Sequence, residues 1–210
     1  MILPMFPLQS IFFPGETVPL HVFEKRYIQL IEDCRREAIT FGIPVYLDGV
    51  VNYGVEVQLV EIVNSYEGGE MDVVCVARQV FVMNNFQSIA EGKLYPSGNV
   101  SLVNLDYVSN LDLKQEVIQK IEELYNFMNV AFKPLKTDKF NSYILAHKIG
   151  LSFKQEYQLL QMPKEEERLA FIKEHLLGTI EVLKQVERTK KTIELNGHFK
   201  NFDPLDFGEI

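Results

Sequence analysis

Tryptophan is absent from the 210 residues, and cysteine occurs only as Cys34 and Cys75. Two cysteines cannot form the disulfide framework that staples small secreted domains. Both stand among apolar neighbours, in EDCRRE and VVCVAR, which predicts buried thiols rather than a bridge. Basic residues are scarce in the first half. Residues 1–108 carry six Lys and Arg against thirteen Asp and Glu, whereas residues 109–210 carry fifteen against sixteen, so the net charge of −8 lies almost wholly in the first half. A face that neutralises phosphates needs clustered Lys and Arg, so nucleic acid is not favoured as a partner. Long unbroken apolar runs are also missing. The opening MILPMFPLQSIFFPGETVPLHVF is interrupted by Pro4, Pro7, Pro14 and Pro19, and no Lys or Arg precedes Lys25. A secretory signal needs a basic start and a continuous apolar stretch. A membrane helix needs ~20 apolar residues with their backbone hydrogen bonds intact. Neither requirement is met, so the expectation is a cytoplasmic protein without a membrane span.

Motifs for catalysis are missing as well. The four histidines, His21, His147, His175 and His198, have no HxxxH or CxxC companion at ligand spacing, so no metal and no cofactor is expected. There is no G-x-S-x-G elbow, and Gly92-Lys93 leads into Leu94 without the earlier glycine of a P-loop. The acidic run Glu165–Glu167 before Arg168 reads as a solvated helix start, where acids complement the helix dipole. The expectation is a non-catalytic protein with no catalytic residues.

What is present divides in two. The first half reads as short strands with one early helix. MILPMFPL suits an edge strand, IFFPGETVPLHVF folds about Pro14-Gly15, and GIPVYL is a further strand. YGVEVQLVEIV alternates at Val55, Val57 and Leu59 and then slips phase at Val60, which predicts a bulge. Gly68-Gly69 turns the chain into MDVVCVARQVFVM, apolar on both faces and hence central, and NVSLVNLDYV closes the set. Between them, FEKRYIQLIEDCRREA spaces Tyr27, Leu30, Ile31 and Cys34 by three and four, as an amphipathic helix does. This pattern predicts a small closed or nearly closed sheet.

The second half is helical. LDLKQEVIQKIEELYNFMNVAF repeats Val117, Ile121, Leu124 and Met128 and pairs Glu116 with Lys120. TDKFNSYILAHKIG reads as a helix capped by Gly150, and LSFKQEYQLLQM opens with Ser152 and Gln155 at capping-box spacing. From Pro163 a helix of about thirty residues would run ~45 Å, longer than a compact bundle covers. The expected divisions are 1–108 for the β domain, 109–195 for the helical subdomain and 196–210 for a tail packed as a loop.

The ordered elements Leu3-Pro4, Pro7-Leu8, Pro14-Gly15, Pro19-Leu20 and the charged helix head Glu24–Arg26 resemble the start of the Lon protease amino-terminal, or substrate-binding, domain. Gln158-Leu159-Leu160 and Glu167-Arg168-Leu169 are similar to that family's helical part, whereas Ala77-Arg78-Gln79 departs from its Gly and basic pair. The resemblance, over roughly residues 1–190, implies an α+β fold: a PUA-like small β-barrel with an early inserted helix, followed by an all-helical bundle subdomain. It implies a stand-alone protein-binding module without the family's ATPase and Ser-Lys protease domains. The implied partners are unfolded or apolar polypeptide segments, or a protease or chaperone, with the chain a monomer or weak dimer. PUA-like barrels elsewhere bind RNA, which leaves RNA binding as the alternative, opposed by the acidic first half. Phe12 and Phe13 must point to opposite faces if extended. Together with Phe23 and Tyr27 they are the candidate protein-binding residues.

Overall fold

The period-two segments of the first half fold into one antiparallel sheet. The computed structural model describes residues 1–47, 52–133 and 135–199, with side chains to residue 194. Its strands are β1 (Ile2–Pro4), β2 (Thr17–Val22), β3 (Phe41–Pro44), β4 (Tyr53–Ser65), β5 (Met71–Gln87) and β6 (Ser97–Leu102). The helices are α1 (Lys25–Glu37), α2 (Leu111–Phe127), α3 (Phe153–Gln161) and α4 (Glu165–Phe199), with a 3-10 turn at Ala146–Lys148. Strand order is β1-β6-β5-β4-β3, and β2 lies off this path against β5. The strand apolar on both faces is indeed central. β5 pairs with β2 through Met71–Val76, with β6 through Phe81–Gln87, and with β4 along its other edge.

The sheet is not a closed barrel. Its end strands meet through isolated parallel bridges, Met5 to Gly42 and Leu8 to Val45, with the Phe6 amide donating to the Gly42 carbonyl at 2.8 Å. The reason lies in the prolines. Pro4 and Pro7 have no N–H to give a ladder, so β1 stops at Pro4. The expected bulge at Val60 is present as a register shift between Leu59 and Glu61, and a second shift follows between Ile62 and Asn64. At the hairpin, Gly69 takes φ +86°, a left-handed conformation that glycine adopts without strain.

By contact the chain forms two compact units: Met1–Val108 with Asn141–Arg168, and Ser109–Phe140 with the chain from Leu169 onward. In the first, α1 buries Tyr27, Leu30, Ile31 and Cys34 in a core with Phe6, Val18, Val22, Phe41, Val57 and Val73. Each such side chain contributes ~1.5–3 kcal/mol by leaving water. Residues 137–150, expected as a helix, are turns and the 3-10 segment. Asn141 Oδ1 accepts from the Tyr143 amide at 3.0 Å and the Ser142 amide donates to Glu165, local bonds that compete with a helix ladder. α3 begins with the expected capping box between Ser152 and Gln155.

In the second unit α2 buries Val117, Ile118, Ile121 and Leu124, and α4 buries Leu169, Ile172, Leu176 and Ile180. The expected Glu116–Lys120 pair is replaced: Glu116 pairs with Lys173, and Lys120 with Glu123. From Gln185 to Glu194 every side chain of α4 is exposed. The expected tail at 196–210 starts inside α4, and its residues 200–210 lie outside those described.

Candidate polypeptide-binding surface

The four candidate aromatics part company in the folded chain. Phe13 is fully buried and stacks on Tyr143 with centroids 4.9 Å apart. Tyr27 is buried with its ring 3.9 Å from Phe6. Phe12 is half-buried against the sheet core. Phe23 is 60% exposed. Phe13 and Tyr27 are therefore core side chains, and Phe23 is the one of the four that presents most of its ring to solvent.

Phe23 does not stand by itself. Strand register sets His21 of β2 opposite Asp72 of β5, and Asp72 opposite Asn64 of β4, a row across three strands. Side chains two residues apart share a sheet face, so Phe23 lies beside His21 and Tyr66 beside Asn64. His21 Nδ1 is 2.7 Å from Asp72 Oδ1, while Asn64 Nδ2 donates to Oδ2 at 3.0 Å and the Tyr66 hydroxyl donates to it at 2.6 Å. The His21 ring stacks on Phe23 at 5.9 Å and meets Tyr66 edge-on at 6.2 Å. The hydrogen bonds from Tyr66, Asn64 and His21 pull the Asp72 carboxyl down to about 2, so it is an acceptor throughout the ordinary pH range. Nδ1 of His21 must then donate, which leaves Nε2 available. The carboxylate thus fixes the His21 and Tyr66 rings on one exposed face, and Phe23 stacks on His21. The sequence carried its signals, His21-x-Phe23 and Asn64-x-Tyr66, but the register that joins them is a property of the fold.

Other polar groups hold structure. Asp33, a buried residue of α1, accepts from Lys93 Nζ at 2.7 Å and the Tyr95 hydroxyl at 2.8 Å. Burial opposes its charge, but these bonds outweigh it and lower its pKa. At the helix start expected to be solvated, Glu166 and Glu167 are exposed, but Glu165 and Arg168 are fully buried. Glu165 accepts from the Ser142 amide at 2.7 Å and hydroxyl at 2.8 Å and from Arg168 Nη2 at 2.8 Å. Arg168 also donates to the carbonyls of Met162 and Asp106, each at 2.8 Å, and lies 4.6 Å over the Tyr143 ring. This arginine can satisfy Glu165 and two loop carbonyls together because its fork offers five donors. Cys34 and Cys75 are free and buried, and burial pushes both thiols up to about 12, which suits core packing and not nucleophilic attack. Among the described residues no group of three or more His, Cys, Asp or Glu is arranged to hold a metal ion, and no helix is long and apolar enough to cross a membrane.

The family model described as the ATP-dependent protease La (LON) substrate-binding domain matches residues 2–178. The chain belongs to that family. Its structure is similar to the crystal structure of a Lon N-terminal domain protein from Xanthomonas campestris. That likeness has 26% identity and a TM-score of 0.60, and covers 81% of this chain and 95% of that one. It is also similar to the N-terminal domain of the Mycobacterium avium complex Lon protease, at 15% identity and a TM-score of 0.61, over 84% of this chain and 98% of that one. At that identity the second likeness is one of fold. No curated protein sequence matches it. The stretch assigned to the Lon family takes in all six strands and the Phe23–His21–Tyr66 face. The antiparallel sheet with helices is the architecture shared with these Lon domains.

Proposed function

We propose that this Lon-family domain is a non-catalytic, cytoplasmic polypeptide-binding module that takes apolar segments of unfolded chains, or of a protease or chaperone partner, on its sheet unit. The observation that supports this reading is the exposed face of Phe23, His21 and Tyr66, its last two rings bonded to Asp72, within a substrate-binding domain. Rings already fixed by their neighbours lose little conformational freedom when a partner covers them, and aromatic anchors of this kind dominate many interfaces. Of the four candidate aromatics Phe23 supplies contact area, whereas Phe13 and Tyr27 are buried and Phe12 is half-buried against the core.

Fluorescence titration with casein and with a reduced, carboxymethylated protein that cannot refold tests the proposal. Binding of both, with the folded form of the second protein left unbound, is the expected result. Absence of any binding at high micromolar concentration overturns it. Casein incubated with the protein, with or without ATP, is expected to stay intact.

A further inference from the structure

The hairpin that carries Tyr66 and Asp72 is strongly one-sided in charge. Between Arg36 and Arg78 there is no Lys or Arg, and seven acids occupy the interval. Glu61, Glu67 and Glu70 are exposed on the β4–β5 hairpin beside Tyr66 and Asp72. Asp72 adds a charge that its three donors keep in place over the ordinary pH range. The bases near Phe23 in sequence are Lys25 and Arg26. Arg26 is engaged, paired with Glu24 at 2.7 Å and lying 4.4 Å over the Tyr27 ring. An exposed aromatic face attracts a cation within ~6 Å of a ring centroid, and that attraction changes affinity by roughly two- to fivefold per ring at solvent-exposed sites. Rings and carboxylates together therefore complement a side chain with an apolar stem and a positive head.

The backbone beside the face suits an extended chain. β3 pairs with β4 over Gly54–Val57, and among the described residues no strand lies on the outer edge of β4 beyond Val57. An unpaired edge offers backbone donors and acceptors to an added segment.

Resting on the polypeptide-binding reading, we infer that the Phe23–His21–Tyr66 face selects extended segments in which a lysine or arginine stands beside an apolar residue. The ring faces take the stem and head of the basic side chain, and Glu61, Glu67 and Glu70 supply the opposing field. A second copy of this chain is disfavoured as occupant, because it would bring the same acids together.

Anisotropy titrations of the full chain test this with labelled peptides that place Phe and Leu beside Lys, Gln or Glu at the same positions. The Lys peptide is expected to bind about tenfold more tightly than the Gln peptide, and the Glu peptide more weakly than both. Phe23→Ala and Tyr66→Leu are each expected to lower Lys-peptide affinity about fivefold, and the Glu67→Gln/Glu70→Gln pair to shrink the Lys preference with circular dichroism unchanged. Equal affinities for the three peptides overturn the selectivity and leave the polypeptide-binding reading standing. A Lys preference that survives Phe23→Ala and Tyr66→Leu overturns its location. If unfolded client protein binds but none of the peptides does, the inference falls and the function stands; if neither binds, both fall.

Discussion

Glu165 and Asp72 lie in the same sheet-bearing unit and are built from similar parts. Glu165 gathers the Ser142 amide and hydroxyl and the Arg168 guanidinium. Asp72 gathers His21, Asn64 and the Tyr66 hydroxyl. Their surroundings differ completely. Glu165 and Arg168 are both 0% exposed, whereas the rings around Asp72 are about half open to water. Inside, an unpaired charge costs several kcal/mol, so the network acts as a clasp that joins the start of α4 to the loops at Asp106, Ser142 and Met162. On the surface the same bonds are screened and contribute little to stability, but they orient side chains that a partner can reach. Burial, not the hydrogen-bond inventory, separates the structural carboxylate from the one proposed to face a partner.

Five variants would break or sharpen that contrast. Arg168→Met should have the largest effect, about 3–5 kcal/mol of stability lost, because it strands Glu165 in the interior; the urea midpoint measures it. A loss under about 1 kcal/mol would mean that the clasp is not buried as described. Replacing both residues, as Glu165→Met/Arg168→Met, should recover part of that loss. Next comes Ser142→Ala, which removes one hydroxyl between the two charges and should cost about 1–3 kcal/mol.

His147 lies between the extremes, with its side chain 37% exposed. Bonds to Glu16 and then Glu156 outweigh burial and raise its pKa to about 9 from an ordinary 6.5. The folded value is the higher one, so the stabilisation is fully present below about pH 6.5 and is lost as pH rises through about 9. Solvent screening keeps it under about 1 kcal/mol. The difference in urea midpoint between the wild type and His147→Gln should therefore shrink between about pH 6 and about pH 10. A constant difference would show that the histidine carries no paired charge.

The smallest stability change belongs to Phe23→Ala, within about 0.5 kcal/mol as for other exposed positions, with a marked loss of affinity for unfolded clients. Equal losses of stability and binding would place Phe23 in the core after all. Asp72 sharpens the same point by titration. Its folded pKa is the depressed one, so its contribution is present above the ordinary 3.8 and is lost as pH falls through about 2. Carboxyl chemical shifts followed by NMR should show that low midpoint.

Features that depend on near neighbours were legible in the chain. The three-to-four spacing of Tyr27, Leu30, Ile31 and Cys34 became α1, the phase slip at Val60 became a bulge, and Ser152 with Gln155 became a capping box. The proline-punctuated opening resembled the Lon family, and the match over residues 2–178 bears that out. Other features were not legible. Residues 137–150 read as a helix capped by Gly150, yet Asn141 and Ser142 divert the local hydrogen bonds. Glu165 looks like its solvated neighbours Glu166 and Glu167 until Ser142, 23 residues away in sequence, is brought against it.

The sequence by itself determined the class of element at most positions, the acidity of the first half, the buried thiols and the family. Each of these follows from composition or from residues a few places apart. Only the tertiary structure decided that the sheet stays open, that Phe13 and Tyr27 lie inside while Phe23 does not, and that His21 meets Asp72 across 51 residues. Strand register and burial depend on partners far away along the chain, and local periodicity does not encode them.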